Sequence, residues 1–455
     1  MPTLNEIPDE FAAFRESLYA HGREVGVCDP ESYDGNQMLI GEKRRRRGRG
    51  LDSDDPRLAM TLTDVDGVLR WSDGYGYRHT GGMRRSRLSP RVEGDIIAPI
   101  NFERLEPNKI GQYLRELDEK LTPKCNFGQP ELGMRELAKD VWQKPGAKPV
   151  DKGRILLFIH GTFSKGEMYL DELGRIPEGR KLLTKIQNRD NYDQVLAFDH
   201  PTLALSPILN AMDLANIFRA SKADIDIICH SRGGLVARWW LEANLARPVG
   251  SIRAILVGSP LAGTSLAAAP SLRGAINLLT NIARALERLS ELTSATFPFF
   301  TVIAGLLRIL GSIGSIAAKT PGLDAAIALI PGLSSQAMVS NNEELNRLNR
   351  ICTNPPEYYA VRSDFEPVSS SWEFWKFFNN FGDRAKDWAA DIVFQKANDL
   401  VVDSASMTVL ANPPNILGIR PERVLDFGKN PDVYHTVYFR QPKTVRFIED
   451  CLKIR

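Results

Sequence analysis

A short run in the middle of the chain, Asp226-Ile-Ile-Cys-His-Ser-Arg-Gly-Gly-Leu-Val-Ala237, carries the strongest structural signal in the sequence. The apolar residues Ile225 to Cys229 predict a buried strand, and a helical pattern follows the glycines. Ser231 lies at the turn between them, where a hydroxyl stands above the sheet near the positive end of the helix. A turn this sharp requires small residues two positions before and after the serine, and Cys229 and Gly233 meet that requirement.

A serine before two glycines is also compatible with a helix N-cap or a phosphate-binding turn. Three further segments favour a nucleophilic serine instead. The first is Arg154-Ile-Leu-Leu-Phe-Ile-His-Gly-Thr-Phe-Ser164, in which a continuous apolar run ends at His160-Gly161-Thr162. Such a run, bounded by a turn, predicts a buried central strand.

The other two segments lie near the end of the chain. In Ala390-Asp-Ile-Val-Phe-Gln-Lys-Ala-Asn-Asp-Leu-Val-Val-Asp403, a predicted strand runs into a loop that contains Asp399. His435 follows in a later loop, before a proline and an amphipathic terminal helix. Taken singly, each of these residues is compatible with an ordinary loop aspartate or a structural histidine.

Together the segments resemble the α/β-hydrolase superfamily, in particular its lipases and esterases. The segment Ile252-Arg-Ala-Ile-Leu-Val-Gly-Ser-Pro-Leu-Ala-Gly-Thr264 also resembles a lipase stretch that ends in Pro-x-x-Gly-Thr. The resemblance implies an α/β class fold, a mostly parallel central sheet flanked by helices. The serine, aspartate and histidine also occur in the order that this fold uses. Cys229 departs from the pattern, which prefers Gly or Ala at that position.

The resemblance implies a role for five residues. Ser231 is expected to be the nucleophile and His435 the general base, with Asp399 holding the imidazole. The backbone N–H groups of Thr162 and Arg232 are expected to form the oxyanion hole. Two other aspartates remain candidates for the acid, namely Asp403 and Asp364. This chemistry requires no cofactor and no metal, and no His, Cys and carboxylate cluster has the spacing of metal ligands.

An apolar insertion interrupts the hydrolase pattern at about residues 266–348, where lipases carry a cap or lid. Leu279, Ile282, Leu286 and Leu289 predict one amphipathic helix. The run Phe297–Ala318 is long enough to span a bilayer, but Arg308 lies at its centre. A cap helix that shields the site, an interfacial lid and a membrane span all remain open at this point. The aromatic run Trp372–Phe381 is compatible with a second interfacial element or with ordinary packing.

Residues 1–150 are expected to form an α+β extension to the hydrolase domain at 151–455. A hairpin is predicted around Asp66-Gly67, and helices are predicted at Pro107–Leu121 and Glu131–Trp142. A basic run covers Lys43–Arg49, and four further arginines follow at positions 84, 85, 87 and 91. Such basic runs form either solvated loops or patches that bind anionic lipid or a polyanionic partner, and both interpretations remain open. The oligomeric state also remains open.

Composition narrows the function further. The net charge of +2 gives no general attraction to nucleic acid, and five scattered cysteines do not form a disulfide framework. The amino terminus shows no secretory signal, so a cytoplasmic location is expected, with peripheral membrane contact through the cap. The favoured hypothesis is a serine hydrolase of lipid acyl esters, a lipase or phospholipase. A short-chain esterase, thioesterase or amidase is the second hypothesis. A non-catalytic scaffold is disfavoured because all three triad residues are present.

Overall fold

The computed structural model describes a large part of the chain, namely residues 9–28, 57–65, 68–73, 95–103, 105–121, 132–243, 250–264, 276–277, 279–284, 297–317, 330–338, 342–351, 355–366, 398–411 and 417–455. Several segments discussed above lie outside the described residues. They are the basic run 43–49, the arginines at 84, 85, 87 and 91, the turn at 66–67, Leu286, Leu289 and the aromatic run 372–381.

The described residues form strands and helices that alternate over most of the chain. The strands are β1 Val27–Cys28, β2 Arg57–Val65, β3 Val68–Asp73, β4 Asp95–Glu103, β5 Gly133–Ala138, β6 Val141–Trp142, β7 Arg154–Ile159, β8 Gln194–Asp199, β9 Asp224–His230, β10 Ile252–Val257, β11 Glu357–Phe365, β12 Val409–Ala411, β13 Leu417–Gly418 and β14 Val424–Asn430. The helices are α1 Ala12–Glu24, α2 Ile110–Leu121, α3 Glu167–Gly174, α4 Pro177–Ile186, α5 Pro207–Ile217, α6 Gly233–Glu242, α7 Phe297–Ala317, α8 Pro331–Ser334, α9 Glu343–Ile351 and α10 Pro442–Leu452.

The chain divides into two compact units. The first consists of residues 1–113, 270–326 and 373–387, and the second of residues 114–269, 327–372 and 388–455. Residues 114–150 are therefore grouped with the second unit, and much of the apolar insertion is grouped with the first.

The second unit is built on an eight-stranded sheet in the order β14-β11-β10-β9-β7-β8-β5-β6. Every neighbouring pair from β14 to β8 is parallel, whereas β5 pairs antiparallel with both β8 and β6. Helices cover both faces of the sheet. This arrangement is the α/β-hydrolase fold, and it confirms the predicted fold class for this unit.

The connections that follow β7 and β9 lead in opposite directions along the sheet. From β7 the chain moves outward to β8, then returns across β7 to β9 and continues in the opposite direction to β10 and β11. The loops that leave the carboxyl ends of β7 and β9 therefore diverge to opposite sides. The two strands end almost level, since Ile159 pairs with Cys229. The loop after Ile159 and the turn at Ser231 consequently lie side by side.

The central strands are mostly apolar because both faces are buried, and the charged residues Arg154, Asp224 and Asp226 lie near the starts of β7 and β9. In β7, Ile155 and Leu157 face a core that includes α5, α6 and α9, whereas Leu156 and Phe158 face a core with α3, α4 and α10. Successive side chains of a strand point to opposite faces, so a run without polar interruption supplies both cores at once. The rigid strand ends are what position the site residues.

The helix predicted at Glu131–Trp142 is wrong. These residues form the hairpin of β5 and β6, and β5 also pairs with β8 along Gly133 to Glu136. Lys139 and Asp140 both have positive φ, of 53° and 61°, which is the backbone of a tight two-residue hairpin turn. Pairing with β8 outweighs the local helical pattern, because the intrinsic helix propensity of a short segment is weak.

The first unit contains an antiparallel sheet in the order β1-β4-β2-β3, with α1 and α7 packed together beside it. Strand β3 is held by side chains of a short helical segment. Asn281 Oδ1 accepts from the N–H of Leu69 and Thr280 Oγ1 accepts from Trp71 Nε1, each at 2.9 Å. The residues of the predicted amphipathic helix therefore provide both apolar packing and polar pairing within this unit.

Arg308, the charge at the centre of the apolar helix α7, is accommodated within the first unit. Its Nη1 donates to the carbonyl oxygen of Val25 at 3.2 Å, and its guanidinium lies 5.0 Å from the centre of the Tyr113 ring. Val25 is the C-cap of α1, and a cation is favourable at that end of a helix. Among the helices that the structure describes, none has both the length and the apolar character that crossing a membrane requires.

Candidate active site

Ser231 lies at a strained turn between β9 and α6. Its φ is +53°, a left-handed conformation that is uncommon for a residue with a side chain, and its N–H donates to the carbonyl oxygen of Val257 at 2.9 Å. The side chain is 4% exposed. A Cβ at Gly233 would lie 2.2 Å from the carbonyl oxygen of Ile159, so only glycine fits there. The turn therefore depends on the small residue that the sequence places after the serine.

Cys229, the departure from the pattern, is fully buried in the core beneath the turn. Burial raises the pKa of its thiol, so the sulfur stays protonated at neutral pH. A protonated thiol is a poor nucleophile, and Cys229 therefore acts here as a small packing residue.

His435 and Asp399 form a directly hydrogen-bonded pair. His435 Nδ1 lies 2.9 Å from Asp399 Oδ2, and the N–H of His435 donates to the carbonyl oxygen of Asp399 at 3.0 Å. Asp399 is fully buried, and its Oδ1 accepts from the N–H groups of Val401 and Val402 at 3.2 and 2.8 Å. Of the three candidate aspartates, Asp399 is the one that the structure places on His435.

This pairing fixes the orientation of the His435 ring. A carboxylate accepts, so Nδ1 carries the proton and the lone pair resides on Nε2. Within the described chain, no residue hydrogen-bonds to His435 Nε2 or to the Ser231 hydroxyl. The ring of His230, the residue before the serine, lies 4.7 Å from the ring of His435. The arrangement leaves both the hydroxyl and Nε2 available for chemistry at the carboxyl ends of β9 and β10.

Tyr438 and Gly258 are site residues that the sequence analysis missed. Tyr438 OH donates to Asp399 Oδ2 at 2.9 Å, and burial raises the pKa of this phenol well above its usual value, so it stays a donor. Gly258 has φ of +56°, and a Cβ there would lie 3.2 Å from Asp399 Oδ2 and 3.3 Å from His435 Nδ1. A tyrosine three residues after the histidine and a glycine at the end of β10 are common patterns, so neither drew attention.

The loop after β7 carries Thr162, the first predicted oxyanion residue. The next residue, Phe163, has φ of +58°, and its N–H donates to Thr202 Oγ1 at 3.3 Å. His160 Nδ1 donates to the carbonyl oxygen of Gly161 at 2.9 Å, while its Nε2 accepts from the N–H of His200 at 3.1 Å. His160 is thus tied to the backbone on both sides of its ring and braces the loop.

The two predicted oxyanion donors remain available. Among the described residues, nothing accepts a hydrogen bond from the backbone N–H of Thr162 or of Arg232. The Thr162 hydroxyl instead pairs with the Gln336 amide, at 2.9 and 3.1 Å, and the carbonyl oxygen of Gln336 accepts from the N–H of Thr264. Gln336 therefore links the loop after β7 to the loop after β10.

Backbone strain concentrates at this site. Six residues with side chains have positive φ in the described chain, and three of them are Ser231, Phe163 and Leu400, the last at +82° directly after Asp399. The other three lie in the β5–β6 turn and at the end of α10. A non-glycine residue persists in this conformation only where its surroundings enforce it, and such residues cluster at functional sites.

Three buried histidines, His160, His200 and His230, lie at the carboxyl ends of β7, β8 and β9. Burial lowers the pKa of His160 to about 4 and that of His230 to about 3, and it lowers the pKa of His200 well below its usual value. His230 Nε2 lies 2.8 Å from the carbonyl oxygen of His435, so it carries the proton and supports the loop of the candidate base. Within the described ranges, no three His, Cys, Asp or Glu side chains are grouped to hold a metal ion.

A family described as "Domain of unknown function (DUF7379)" matches residues 131–453, which is more than two thirds of the chain. The chain belongs to this family. The DUF7379 region begins just before β5, ends within the last residues after α10 and includes Ser231, Asp399 and His435. Comparison with curated protein sequences gave no match.

Some solved structures are similar to this chain at low identity. The mature lipase BlEst2 from Bacillus licheniformis is 15% identical, with 67% of this chain and 94% of that one covered and a TM-score of 0.32. Lipase 1 from Pelosinus fermentans is 11% identical, with 66% and 97% covered and a TM-score of 0.37. Phospholipase PlaB from Legionella pneumophila is also 11% identical, with a TM-score of 0.37, and the match covers 66% of this chain and only 60% of PlaB.

Proposed function

We propose that the protein is a serine ester hydrolase, in which Ser231, His435 and Asp399 act as a catalytic triad. The observation that carries the proposal is the combination at adjacent strand ends of a strained serine turn and a buried aspartate–histidine pair. Each feature alone has a structural explanation. Their occurrence together, beside two backbone N–H groups without acceptors among the described residues, matches what acyl transfer requires.

In the first half of the reaction, Ser231 Oγ attacks the acyl carbon of the ester while His435 Nε2 takes the hydroxyl proton. Asp399 keeps Nδ1 protonated and stabilises the imidazolium that forms. The N–H groups of Thr162 and Arg232 donate to the carbonyl oxygen as it becomes negative, an effect worth about 3 kcal/mol for each donor. The imidazolium then donates its proton to the leaving alcohol.

In the second half, a water molecule takes the place of the alcohol. His435 Nε2 accepts a proton from this water, whose oxygen attacks the acyl carbon bound to Ser231. The tetrahedral intermediate again places its oxygen at the same two N–H groups. As it collapses, the bond from the acyl carbon to Ser231 Oγ breaks, the His435 imidazolium returns its proton to that oxygen, and the carboxylic acid is released. The cycle uses only groups of this chain and water.

The substrate class that we propose is a lipid acyl ester, as for a lipase or phospholipase. Support comes from the apolar character of the sequence inserted at about residues 266–348. An enzyme with such an insertion as cap or lid is suited to long acyl chains and to peripheral contact with a membrane surface. The expected cytoplasmic location belongs to the same proposal.

Labelling with a fluorophosphonate probe tests the triad. The wild-type protein should be labelled covalently, and Ser231→Ala and His435→Ala should both lose labelling while remaining folded by circular dichroism. Cys229→Ala is the matched control, because it changes a neighbouring buried thiol without touching the triad, and it should be labelled normally. Labelling that survives in Ser231→Ala would overturn the assignment of the nucleophile.

Hydrolysis of p-nitrophenyl esters from acetate to palmitate tests the substrate class. For a lipid ester hydrolase, kcat/KM should rise with acyl length and increase further in the presence of lipid vesicles. A kcat/KM that falls beyond short acyl groups would refute the lipase proposal and favour a short-chain esterase. The two experiments are independent, so the triad can stand if the substrate class fails.

A further inference from the structure

Asp118, a buried carboxylate far from the triad in sequence, binds a loop next to the candidate oxyanion hole. It lies on α2 and is only 3% exposed. Its two oxygens accept from three successive backbone N–H groups, those of Thr202, Leu203 and Ala204, at 2.7, 2.9 and 2.7 Å. Its Oδ1 also accepts from the Thr202 hydroxyl at 3.2 Å. A carboxylate with this many donors holds the backbone of a loop rigidly.

This loop, Thr202–Leu205, follows β8 and contacts both sides of the oxyanion hole. On one side, Thr202 Oγ1 accepts from the N–H of Phe163, the residue after Thr162. On the other side, the carbonyl oxygen of Leu205 accepts from Arg232 Nη2 at 2.6 Å. The Thr202–Leu205 loop therefore touches the neighbour of one predicted oxyanion donor and the side chain of the other.

The side chain of Arg232 donates one hydrogen bond to this loop and one to a neighbouring helix. It is fully buried, and its contacts are with Leu205 and with Asn210 Oδ1 at 2.8 Å, a residue of α5. Burial lowers the pKa of Arg232 to about 10, and the negative charge of Asp118 acts against this change. Asp118 thus supports Arg232 through the loop backbone and through its charge.

We propose that Asp118 is a positioning residue for ester hydrolysis: by fixing the Thr202–Leu205 loop it sets the spacing between the Thr162 and Arg232 N–H groups. The inference rests on the proposed function, since it assigns a role within that same site. It also gives a catalytic purpose to a residue of the region before the hydrolase pattern, whose role the sequence left undefined.

Steady-state kinetics of Asp118→Asn test the inference. The amide keeps the size of the side chain but lacks the charge and replaces one acceptor with a donor. We expect kcat for a p-nitrophenyl ester to fall about 10- to 100-fold, because small displacements of oxyanion donors are costly. KM should change less than about threefold. The affinity for a trifluoromethyl ketone inhibitor, whose adduct with a serine carries an oxyanion, should fall in parallel with kcat/KM.

Asp226→Asn is the matched control. Asp226 is also buried and charge-paired, but it lies near the start of β9 and binds Arg154 and Arg253. This variant should lower the urea midpoint of unfolding without lowering kcat. A folded Asp118→Asn variant whose kcat matches that of Asp226→Asn would overturn the inference.

Substitutions of Thr202 provide a second test, which can be carried out even if the Asp118→Asn variant does not fold. Thr202→Val removes the oxygen that accepts from Phe163, whereas Thr202→Ser retains it. We expect kcat to fall about 10-fold in the valine variant and to stay near the wild-type value in the serine variant. Equal kcat values in the two variants would overturn the inference. A wild-type protein without ester hydrolysis or fluorophosphonate labelling would instead overturn the proposed function itself.

Discussion

Replacing His200 with phenylalanine should make the folded protein less sensitive to acid. His200 is buried, and its ring stacks on those of His160 and Phe198 at 4.1 and 5.1 Å. Its Nδ1 donates to the carbonyl oxygen of Phe198, and its Nε2 has no hydrogen-bond partner in the described structure. A phenyl ring preserves the stacking and removes the nitrogen that would have to accept a proton inside the core.

The size of the effect follows from proton linkage. Burial lowers the pKa of His200 well below its usual value near 6.5. Below pH 6.5 the unfolded chain therefore binds a proton at His200 that the folded protein does not bind. The contribution of His200 to the free energy of unfolding is therefore fully present above about pH 6.5, and it is lost as the pH falls below that value. For one such histidine the loss between pH 7.5 and 5.0 is about 2 kcal/mol. His160 and His230 act in the same direction, so the three together cost about 6 kcal/mol over this range.

Urea unfolding followed by tryptophan fluorescence at pH 7.5, 6.5 and 5.0 measures this difference. At pH 7.5, His200→Phe should be less stable by about 1 kcal/mol, because the hydrogen bond to Phe198 is lost. On moving to pH 5.0, the variant should lose about 2 kcal/mol less than the wild type. The buried carboxyls of Asp118 and Asp199, whose pKa values burial raises, are present in both proteins and cancel in the comparison.

A core variant without a titrating group provides the control. Phe158→Leu, in β7, should lower stability by a similar amount at every pH, because the change involves packing alone. If His200→Phe and the wild type lost stability in parallel between pH 7.5 and 5.0, His200 would be able to take up a proton in the folded state. That result would refute the reasoning from burial.

Three further predictions concern the site. Gly233→Ala should abolish fluorophosphonate labelling of Ser231, because its Cβ would lie 2.2 Å from the Ile159 carbonyl oxygen; a variant labelled at the wild-type rate would contradict this. Asp399→Asn should lower kcat by about 10⁴-fold in ester hydrolysis, because an amide at Oδ2 favours the wrong tautomer of His435, and a loss below tenfold would argue against its role. Tyr438→Phe should lower the free energy of unfolding by about 1.5–3 kcal/mol in urea, with a smaller loss of kcat than Asp399→Asn; unchanged stability would contradict the importance of its bond to Asp399.

Much of the second unit could be predicted from local pattern. The apolar runs in β7 and β9 predict buried strands because a strand covered on both faces has few polar positions, and the structure places both at the centre of the sheet. The edge hairpin β5–β6 was wrongly predicted as a helix. Strand β5 lies between β8 and the two-residue strand β6, and its pairing with the distant strand β8 determines its conformation.

The partners of the site residues could not be predicted in the same way. Asp118, Thr202, Gln336 and Tyr438 contact the site through loops that approach from separate parts of the chain. Their residue types are common, and no spacing along the chain relates them to Ser231. Contacts of this kind depend on where strand ends meet, which is a property of the sheet order.

The sequence by itself determined the turn at Ser231, since a strand, a small residue on each side and a helix are all local features. It also supplied a short set of acid and base candidates in chain order. Only the tertiary structure decided that Asp399 lies on His435, that the ends of β7 and β9 lie side by side, and that Asp118 binds the loop after β8. The physical reason is that hydrogen bonds and burial act over a few ångströms in space, and only the packed sheet brings residues distant in sequence within that range.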